Sequence, residues 1–177
     1  MPAMKPRMFT IIPAALAAAL ALLVSTTVLA TSGPVAFDEQ MTVGLCTDFG
    51  SAPTALGTTI DYTGNKTIVI TAVEPINPVG VEILSVNAMP YGGDPEKFGL
   101  APYPPADRWT DAWENREDGI GFTFSGTVDA SLVTELRSTG EHARANLDGL
   151  LIRYTANGAK FSARSGIQLT GGEGGCG

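Results

Sequence analysis

The fold class is decided by a stretch near the end of the chain, Gly149-Leu-Leu-Ile-Arg-Tyr-Thr155, Ala156-Asn157-Gly158 and Ala159-Lys-Phe-Ser-Ala-Arg-Ser-Gly-Ile-Gln-Leu169. The asparagine–glycine pair is the preferred sequence of a two-residue type I′ turn, which joins the two strands of a β-hairpin. Apolar residues recur on both sides of this turn with the two-residue period of a β-strand: Leu150, Ile152, Tyr154, Phe161, Ala163, Ile167 and Leu169. The stretch therefore predicts an antiparallel hairpin.

Earlier segments carry strand patterns as well. β-Branched and apolar runs predict strands over residues 41–47, 58–62, 66–73, 79–89 and 119–128. Between the second and third of these, Gly64-Asn65 indicates a hairpin turn. In residues 79–89 the apolar positions change parity by one residue, which predicts a β-bulge or a bend. Residues 50–57 are expected to form a loop, and 131–137 one or two helical turns.

About seven short strands with turn signals between them, and little helix, predict an all-β fold. The specific prediction is an antiparallel immunoglobulin-like sandwich over residues 41–177, with a small β-barrel as the alternative. Cys46 and Cys176 are the two cysteines of the chain. They predict one disulfide that closes a loop of about 130 residues and joins the first strand to the end of the last. A metal or catalytic cysteine pair is the alternative.

The N-terminal segment 9–30 holds no charged residue and follows a basic cap, residues 1–8, which contains Lys5 and Arg7. A helix of this length, from Phe9 to Ala30, can cross a bilayer core of about 30 Å. The basic cap predicts that the C-terminal domain lies outside the cell membrane. Two interpretations stay open, an uncleaved single-pass signal anchor and a signal peptide cleaved after Ala30, which would give a secreted domain. Residues 31–40 are expected to form a short tether.

The charge of the exported part excludes one class of partner. This part contains all 18 acidic residues but 9 of the 11 basic ones, so its net charge is −9. Such a surface repels nucleic acid at long range, and a nucleic-acid partner is not expected. The sequence contains no histidine, cysteine and carboxylate pattern typical of a metal site, and no cofactor is expected. His142, the single histidine, lies in a polar stretch and is expected at the surface.

Residues 90–119 are longer than an ordinary connection between strands, and they are rich in proline and aromatic residues. We expect a short helix over about 106–117, capped by Asp107. Four aromatic residues of this segment are candidates for a binding surface, with packing of the helix onto the sandwich as the alternative: Tyr91, Tyr103, Trp109 and Trp113.

Carboxylates crowd the same segment: Asp107, Asp111, Glu114, Glu117 and Asp118. A divalent cation site is one interpretation, and a solvated helix face relieved by Arg108 and Arg116 is the other. The segment also supports two functional hypotheses from different classes. One is a binding or envelope-structural module without enzymatic activity, and the other is a cell-envelope hydrolase that uses these carboxylates.

Three stretches together carry a family resemblance: Thr63-Gly-Asn-Lys-Thr-Ile-Val-Ile-Thr-Ala-Val73, Val79-Gly-Val-Glu-Ile-Leu-Ser-Val86, and the hairpin quoted above with its final Cys176. The chain resembles the small membrane-anchored immunoglobulin-like ectodomains of actinobacterial-type exported proteins. The resemblance implies a fold and a location. It implies no catalytic residues. The expected function is therefore a membrane-tethered extracytoplasmic module with a protein or envelope partner.

Overall fold

The computed structural model describes residues 33–37, 43–47, 52–91, 96–140 and 144–172. Within these residues the chain forms one short helix, α1 (Thr110–Glu114), and twelve strands. The strands are, in chain order, β1 (Val43–Thr47), β2 (Thr54–Thr59), β3 (Ile68–Pro75), β4 (Val81–Pro90), β5 (Leu100–Pro102), β6 (Glu117–Asp118), β7 (Thr123–Phe124), β8 (Ala130–Ser138), β9 (Arg144–Leu147), β10 (Leu150–Ala156), β11 (Ala159–Arg164) and β12 (Ile167–Gly172).

The strands form three sheets, and almost all neighbours are antiparallel. The five-stranded sheet has the order β5-β2-β8-β4-β6, and the four-stranded sheet has the order β11-β10-β3-β7. The three-stranded sheet, β1-β12-β9, contains one parallel pair, in which β1 runs alongside β12. Because β9 leads directly into β10 and β11 into β12, the two smaller sheets continue one another along the chain. The predicted all-β fold with antiparallel sheets is confirmed.

A single large core lies between the five-stranded sheet and the other two. Its fully buried side chains come from all three sheets: Leu56, Ile68, Ile70, Leu132, Leu136, Leu147, Leu150, Ile152 and Leu169. Burial of such side chains stabilises each by about 1.5–3 kcal/mol relative to exposure, so this core is the main source of stability.

The hairpin prediction is confirmed at the residue level. Asn157 has φ 48° and Gly158 has φ 83°, and a type I′ turn requires positive φ at both central residues. The strands β10 and β11 pair from Leu151 with Arg164 to Ala156 with Ala159. The predicted parity change within β4 is also confirmed, because the register with β8 shifts between Ile83 and Ser85.

The helical turns predicted for residues 131–137 are wrong, because this segment is β8, the central strand of the five-stranded sheet. Leu132 and Leu136 belong to the large core, and Val133 belongs to a second cluster on the opposite face. A strand buried on both faces has no alternation of apolar and polar residues. Leu132 and Leu136 are four residues apart, which matches the period of a helix.

The hairpin predicted at Gly64-Asn65 is also wrong. Strand β2 pairs with β5 and β8, whereas β3 pairs with β7 and β10, so residues 60–67 cross from one sheet to another. The Tyr62 hydroxyl shapes this crossing, since it accepts a hydrogen bond from Lys66 N at 2.8 Å and lies 3.0 Å from Lys66 O. Several strand boundaries differ as well. Strand β2 begins at Thr54, inside the predicted 50–57 loop, and the predicted strand 119–128 shortens to β7.

Residues 33–37, part of the predicted tether, are packed against the domain. Val35 and Phe37 are buried in the large core, and Val35 N donates a hydrogen bond to the Tyr154 hydroxyl at 3.2 Å. Ala36 and Asp61 exchange two backbone hydrogen bonds of 3.0 and 2.9 Å. This part of the chain is therefore structure and not a spacer. The predicted span 9–30 lies outside the described residues, and the described part has no helix long and apolar enough to cross a membrane.

The strand directions give the domain two distinct ends. The entry end contains residues 33–37, the 60–67 crossing, the 125–129 connection before β8 and the Asn157-Gly158 turn. The far end contains the connection of residues 76–80. At the far end, side-chain hydrogen bonds from Asn77 and then Asn146, at 2.9 and 3.0 Å, hold the pKa of Asp148 below its usual value. These bonds fasten the 76–80 connection to the end of β9.

Two threonines in the large core give a stability prediction. The hydroxyls of Thr58 and Thr134 are buried and have no hydrogen-bond partner among the described residues. Replacing Thr134 by valine removes a buried unsatisfied group at nearly constant shape, so the free energy of unfolding should rise by about 1 kcal/mol. Urea unfolding followed by circular dichroism measures this change.

The control for this change is Thr71→Val, at an exposed position of β3, which should alter stability by less than about 0.5 kcal/mol. A loss of stability in Thr134→Val would show that the hydroxyl makes a hydrogen bond in the folded domain.

Candidate functional site

The segment between β4 and β8, residues 91–129, is called the insertion below. Its first part folds back onto the outer face of the five-stranded sheet, opposite the large core. The buried residues of this second core come from the sheet and from the insertion: Ala55, Met89, Tyr91, Phe98, Trp109, Trp113 and Val133. Sequence neighbours such as Leu132 and Val133 therefore lie in different cores. Both faces of the sheet are buried.

Tyr91 fixes the start of the insertion. Its backbone N donates to Asp129 O at 2.9 Å, and its hydroxyl is hydrogen-bonded to the Ser131 hydroxyl on β8. The same tyrosine hydroxyl accepts a hydrogen bond from Phe98 N at 3.1 Å. A buried tyrosine needs such partners for its hydroxyl, and here they join both ends of the first loop to the sheet.

The two tryptophans continue this layer. The Trp109 ring lies 5.5 Å from the Phe98 ring and 5.9 Å from the Tyr91 ring, and the Trp113 ring lies 5.3 Å from that of Tyr103. The first and last of these pairs are edge-to-face, a geometry worth about 0.5–1.5 kcal/mol beyond burial. The four aromatic residues predicted for binding, Tyr91, Tyr103, Trp109 and Trp113, are thus brought together in one layer.

Arginines of the insertion cover the tryptophan rings from outside. The Arg108 guanidinium lies 4.8 Å from the Trp109 ring centre, and the Arg116 guanidinium lies 4.4 Å from that of Trp113. Arg116 also donates to Trp113 O at 2.9 Å, and Arg108 is paired with Glu96. Both tryptophans are only 8% exposed. The geometry favours the packing interpretation, and the binding role of these rings stays a prediction.

The helix of the insertion is shorter than the sequence predicts. A 3-10 turn over Asp107–Trp109 leads into α1, which ends at Glu114. The cap assigned to Asp107 is wrong, since Ala106 occupies the first cap position without a side-chain hydrogen bond and Asp107 has φ 55°. Instead, the carbonyl of Asp107 accepts a hydrogen bond from Thr110 Oγ1 at 2.8 Å.

The carboxylates of the insertion face solvent. Asp107, Asp111, Glu114, Glu117 and Asp118 are all exposed. Among the residues that the structure describes, no group of three or more histidine, cysteine or carboxylate side chains could hold a metal ion. His142 lies outside the described residues. These five exposed carboxylates are called the acidic outer surface of the insertion below.

Two depressions open beside this surface. One, of about 410 Å³, is lined by Pro102, Pro104, Asp107 and Trp109 among others. The second, of about 600 Å³, lies along the edge of β4 and β6 and includes Ser85, Arg116 and Ile120. Ser85 at its margin donates to Glu135 Oε2 at 2.7 Å and lies 3.3 Å from the Tyr103 hydroxyl. This short network links the sheet to the aromatic layer.

Sequence reasoning missed the glycines that allow the insertion to dock. Gly57 on β2 donates its backbone N–H to Gly99 O at 2.6 Å, and a side chain at Gly57 would overlap the carbonyl oxygen and ring of Phe98. Gly119 donates to Val86 O at 3.0 Å, and a side chain there would overlap Val86. A glycine inside a strand pattern often marks such a close approach. This signal was available at Gly119, in the predicted strand 119–128, but not at Gly57, which fell in the predicted 50–57 loop.

No protein-family model, no curated protein and no solved structure matches this chain. The function is therefore inferred from the residues and their geometry.

The docking glycine gives a prediction. In Gly57→Ala, the new methyl group should push Phe98 and its backbone away from β2 and loosen the aromatic layer. We expect a stability loss of about 1–3 kcal/mol and a red shift of tryptophan fluorescence, because the Trp109 ring becomes more exposed to solvent. The matched control is Gly99→Ala, at the partner glycine, where a methyl group would meet no atom within 4 Å. Equal behaviour of the two variants would contradict the docking contact.

The buried tryptophan gives a second prediction. Trp109→Ala should lower the free energy of unfolding by about 3–5 kcal/mol, since the ring is central to the second core. Chemical unfolding followed by far-ultraviolet circular dichroism measures this loss. The control Arg108→Ala removes the cation above the ring and should cost about 1 kcal/mol or less. A loss as small as the control's would instead mean that the ring is available to a partner.

Proposed function

We propose that the chain is a membrane-tethered extracytoplasmic module with an immunoglobulin-like sandwich. In this proposal it binds a cationic protein or envelope component through the acidic outer surface of its insertion. One observation supports the binding part of the proposal, the different exposure of two kinds of side chain in the insertion. Aromatic residues are buried in the second core on the five-stranded sheet, whereas the carboxylates are exposed.

The order of strands supports the immunoglobulin-like class. In such domains one sheet has the order A-B-E-D and the other the order C-F-G. Here the bridge at Ala36 and the strands β2, β8 and β4 occupy the first order, and β3, β10 and β11 occupy the second. The chain also visits these strands in the alphabetical sequence of that fold. On this assignment the insertion lies between strands D and E.

The pairing of β1 with β12 supports the proposed disulfide. Cys46 on β1 stands opposite Thr170 on β12, six residues before Cys176 in the sequence. Cys176 itself lies outside the described residues. A bridge over so long a loop would contribute about 4–5 kcal/mol in the chain-entropy model, and an exported protein has the oxidising surroundings that it needs.

The insertion supports a binding role because it is more than a connection requires. Neighbouring strands of a sandwich need only a few residues to join them, and loops held on a rigid scaffold are frequent binding elements. The aromatic layer orders this insertion without any partner. The exposed carboxylates then present a fixed negative surface, which complements a cationic partner. Their exposure gives no support to the alternative of a carboxylate-based hydrolase.

The binding proposal predicts a site-specific effect of charge. Asp107→Asn, Asp111→Asn and Glu114→Gln together should weaken capture of envelope components by about tenfold, because rim charges each contribute modestly to recognition. The matched control removes three negative charges elsewhere, in Asp61→Asn, Glu74→Gln and Glu82→Gln. Quantitative capture on the immobilised exported part compares the two triples. An equal loss in both would reflect net charge alone and would refute this binding surface.

The proposed anchor gives a prediction for the whole protein. If Phe9 to Ala30 is an uncleaved anchor, the protein should stay in the membrane fraction after high-salt and carbonate washes. N-terminal sequencing of the mature protein supplies the opposite outcome. A soluble form that begins at Thr31 would show that the segment is a cleaved signal peptide and that the domain is secreted.

A further inference from the structure

We propose that the entry end of the domain rests on the membrane that anchors it, with Lys66 and Lys160 in contact with anionic lipid headgroups. This inference rests on the proposed anchor and adds an orientation and a lipid partner to it. It concerns a different surface from the acidic one of the insertion.

The first observation is the short distance between the apolar segment and the folded domain. The apolar segment ends at Ala30, and at Gly33 the chain already lies so close to the Tyr154 and Phe161 rings that a side chain there would overlap them. Val35 and Phe37 follow as buried core residues. Three residues span at most about 10 Å, and the headgroup layer is itself about 6 Å deep on each side. The entry end therefore lies within about 4 Å of the outer edge of the headgroup region.

The second observation is the distribution of lysines. The exported part has three lysines, and all of them lie at the entry end. Lys66 is in the 60–67 crossing, and Lys160 follows the Asn157-Gly158 turn on β11. Lys97 lies beside Tyr91 and is paired with Asp129 at 3.4 Å. Lys66 and Lys160 are exposed and make no ion pair among the described residues, so both can contact anionic headgroups.

Most of the described acidic residues lie away from the entry end. Asp61 is also at the entry end, and it shares this end with the three lysines and with Asp129. The exposed carboxylates of the insertion lie along one side, and Glu74, Glu82 and Asp148 lie towards the far end. An anionic membrane surface attracts each nearby lysine by an amount equivalent to about fivefold in binding, and this attraction falls off within about 10 Å. The carboxylates at the far end lie beyond this distance and are not repelled. The few lysines at the entry end would thus orient a domain of net charge −9 with this end towards the membrane.

This orientation has a consequence for the rest of the surface. The 76–80 connection, with the 46% exposed Val79, points away from the membrane. The acidic surface of the insertion faces sideways and stays open to a partner in the envelope. The lipid contact and the proposed partner surface do not compete for the same residues.

The test uses chemical labelling of the full-length protein in vesicles. An amine-reactive, membrane-impermeant acetylating reagent reports the entry end, because beyond the N-terminal cap the lysines are all there. An arginine reagent acting on Arg144, at the start of β9, reports the far end of the same molecules. In vesicles of equal parts phosphatidylcholine and phosphatidylglycerol, Lys66 and Lys160 should react about fivefold more slowly, relative to Arg144, than in detergent.

Each outcome decides a separate point. Equal lysine reactivity in mixed vesicles and detergent, with the protein still resistant to carbonate, would overturn the orientation and leave the anchor intact. Extraction by carbonate would instead remove the anchor on which the inference rests. Protection of the same size in phosphatidylcholine alone would overturn anionic headgroups as the partner. The control variant Arg137→Gln, at the far end, should leave Lys66 and Lys160 protected, because it removes no charge from the entry end.

Discussion

Burial of the five-stranded sheet on both faces is the constraint on which the rest of the structure depends. On one face β8 contributes Leu132 and Leu136 to the core that joins all three sheets. On the other face Val133 packs beneath Tyr91 and the tryptophans of the insertion. An ordinary antiparallel sandwich exposes its outer faces to water, and its strands alternate accordingly. Here the chain must supply a cover for the second face, and the insertion is that cover.

The need for a cover explains the composition of the insertion. A segment that joined two strands without packing on them would be poor in aromatic residues. This one contains both tryptophans of the chain, and they close the second core with Arg108 and Arg116 above their rings. Cation–ring contacts let a charged side chain cover an apolar surface while its guanidinium stays hydrated. The outer surface that results is polar and acidic, although the segment is rich in aromatic residues.

Residues at the point where the chain enters the domain also take part in its packing. Residues 33–37 fill a place in the large core, and the Ala36 bridge extends the five-stranded sheet past the end of β2. The folded domain therefore begins almost at the end of the apolar segment. The end of the domain at which the chain enters is therefore defined by packed residues.

The sequence by itself determined the all-β class, the hairpin at Asn157-Gly158 and the bulge in β4, because turn chemistry and strand parity are local properties. It also marked the insertion, since proline and aromatic content are visible in the composition.

The pairing of β8 was decided only by tertiary structure, because a strand buried on both faces loses the period that identifies it. The strands that pair with β2 and β3 could not be predicted for a related reason. Gly64-Asn65 permits a turn but does not specify which strands pair. The burial of Trp109 and Trp113, and the exposure of the carboxylates beside them, likewise depend on a sheet face formed by residues distant in the sequence. No local pattern encodes which face of a helix that sheet will cover.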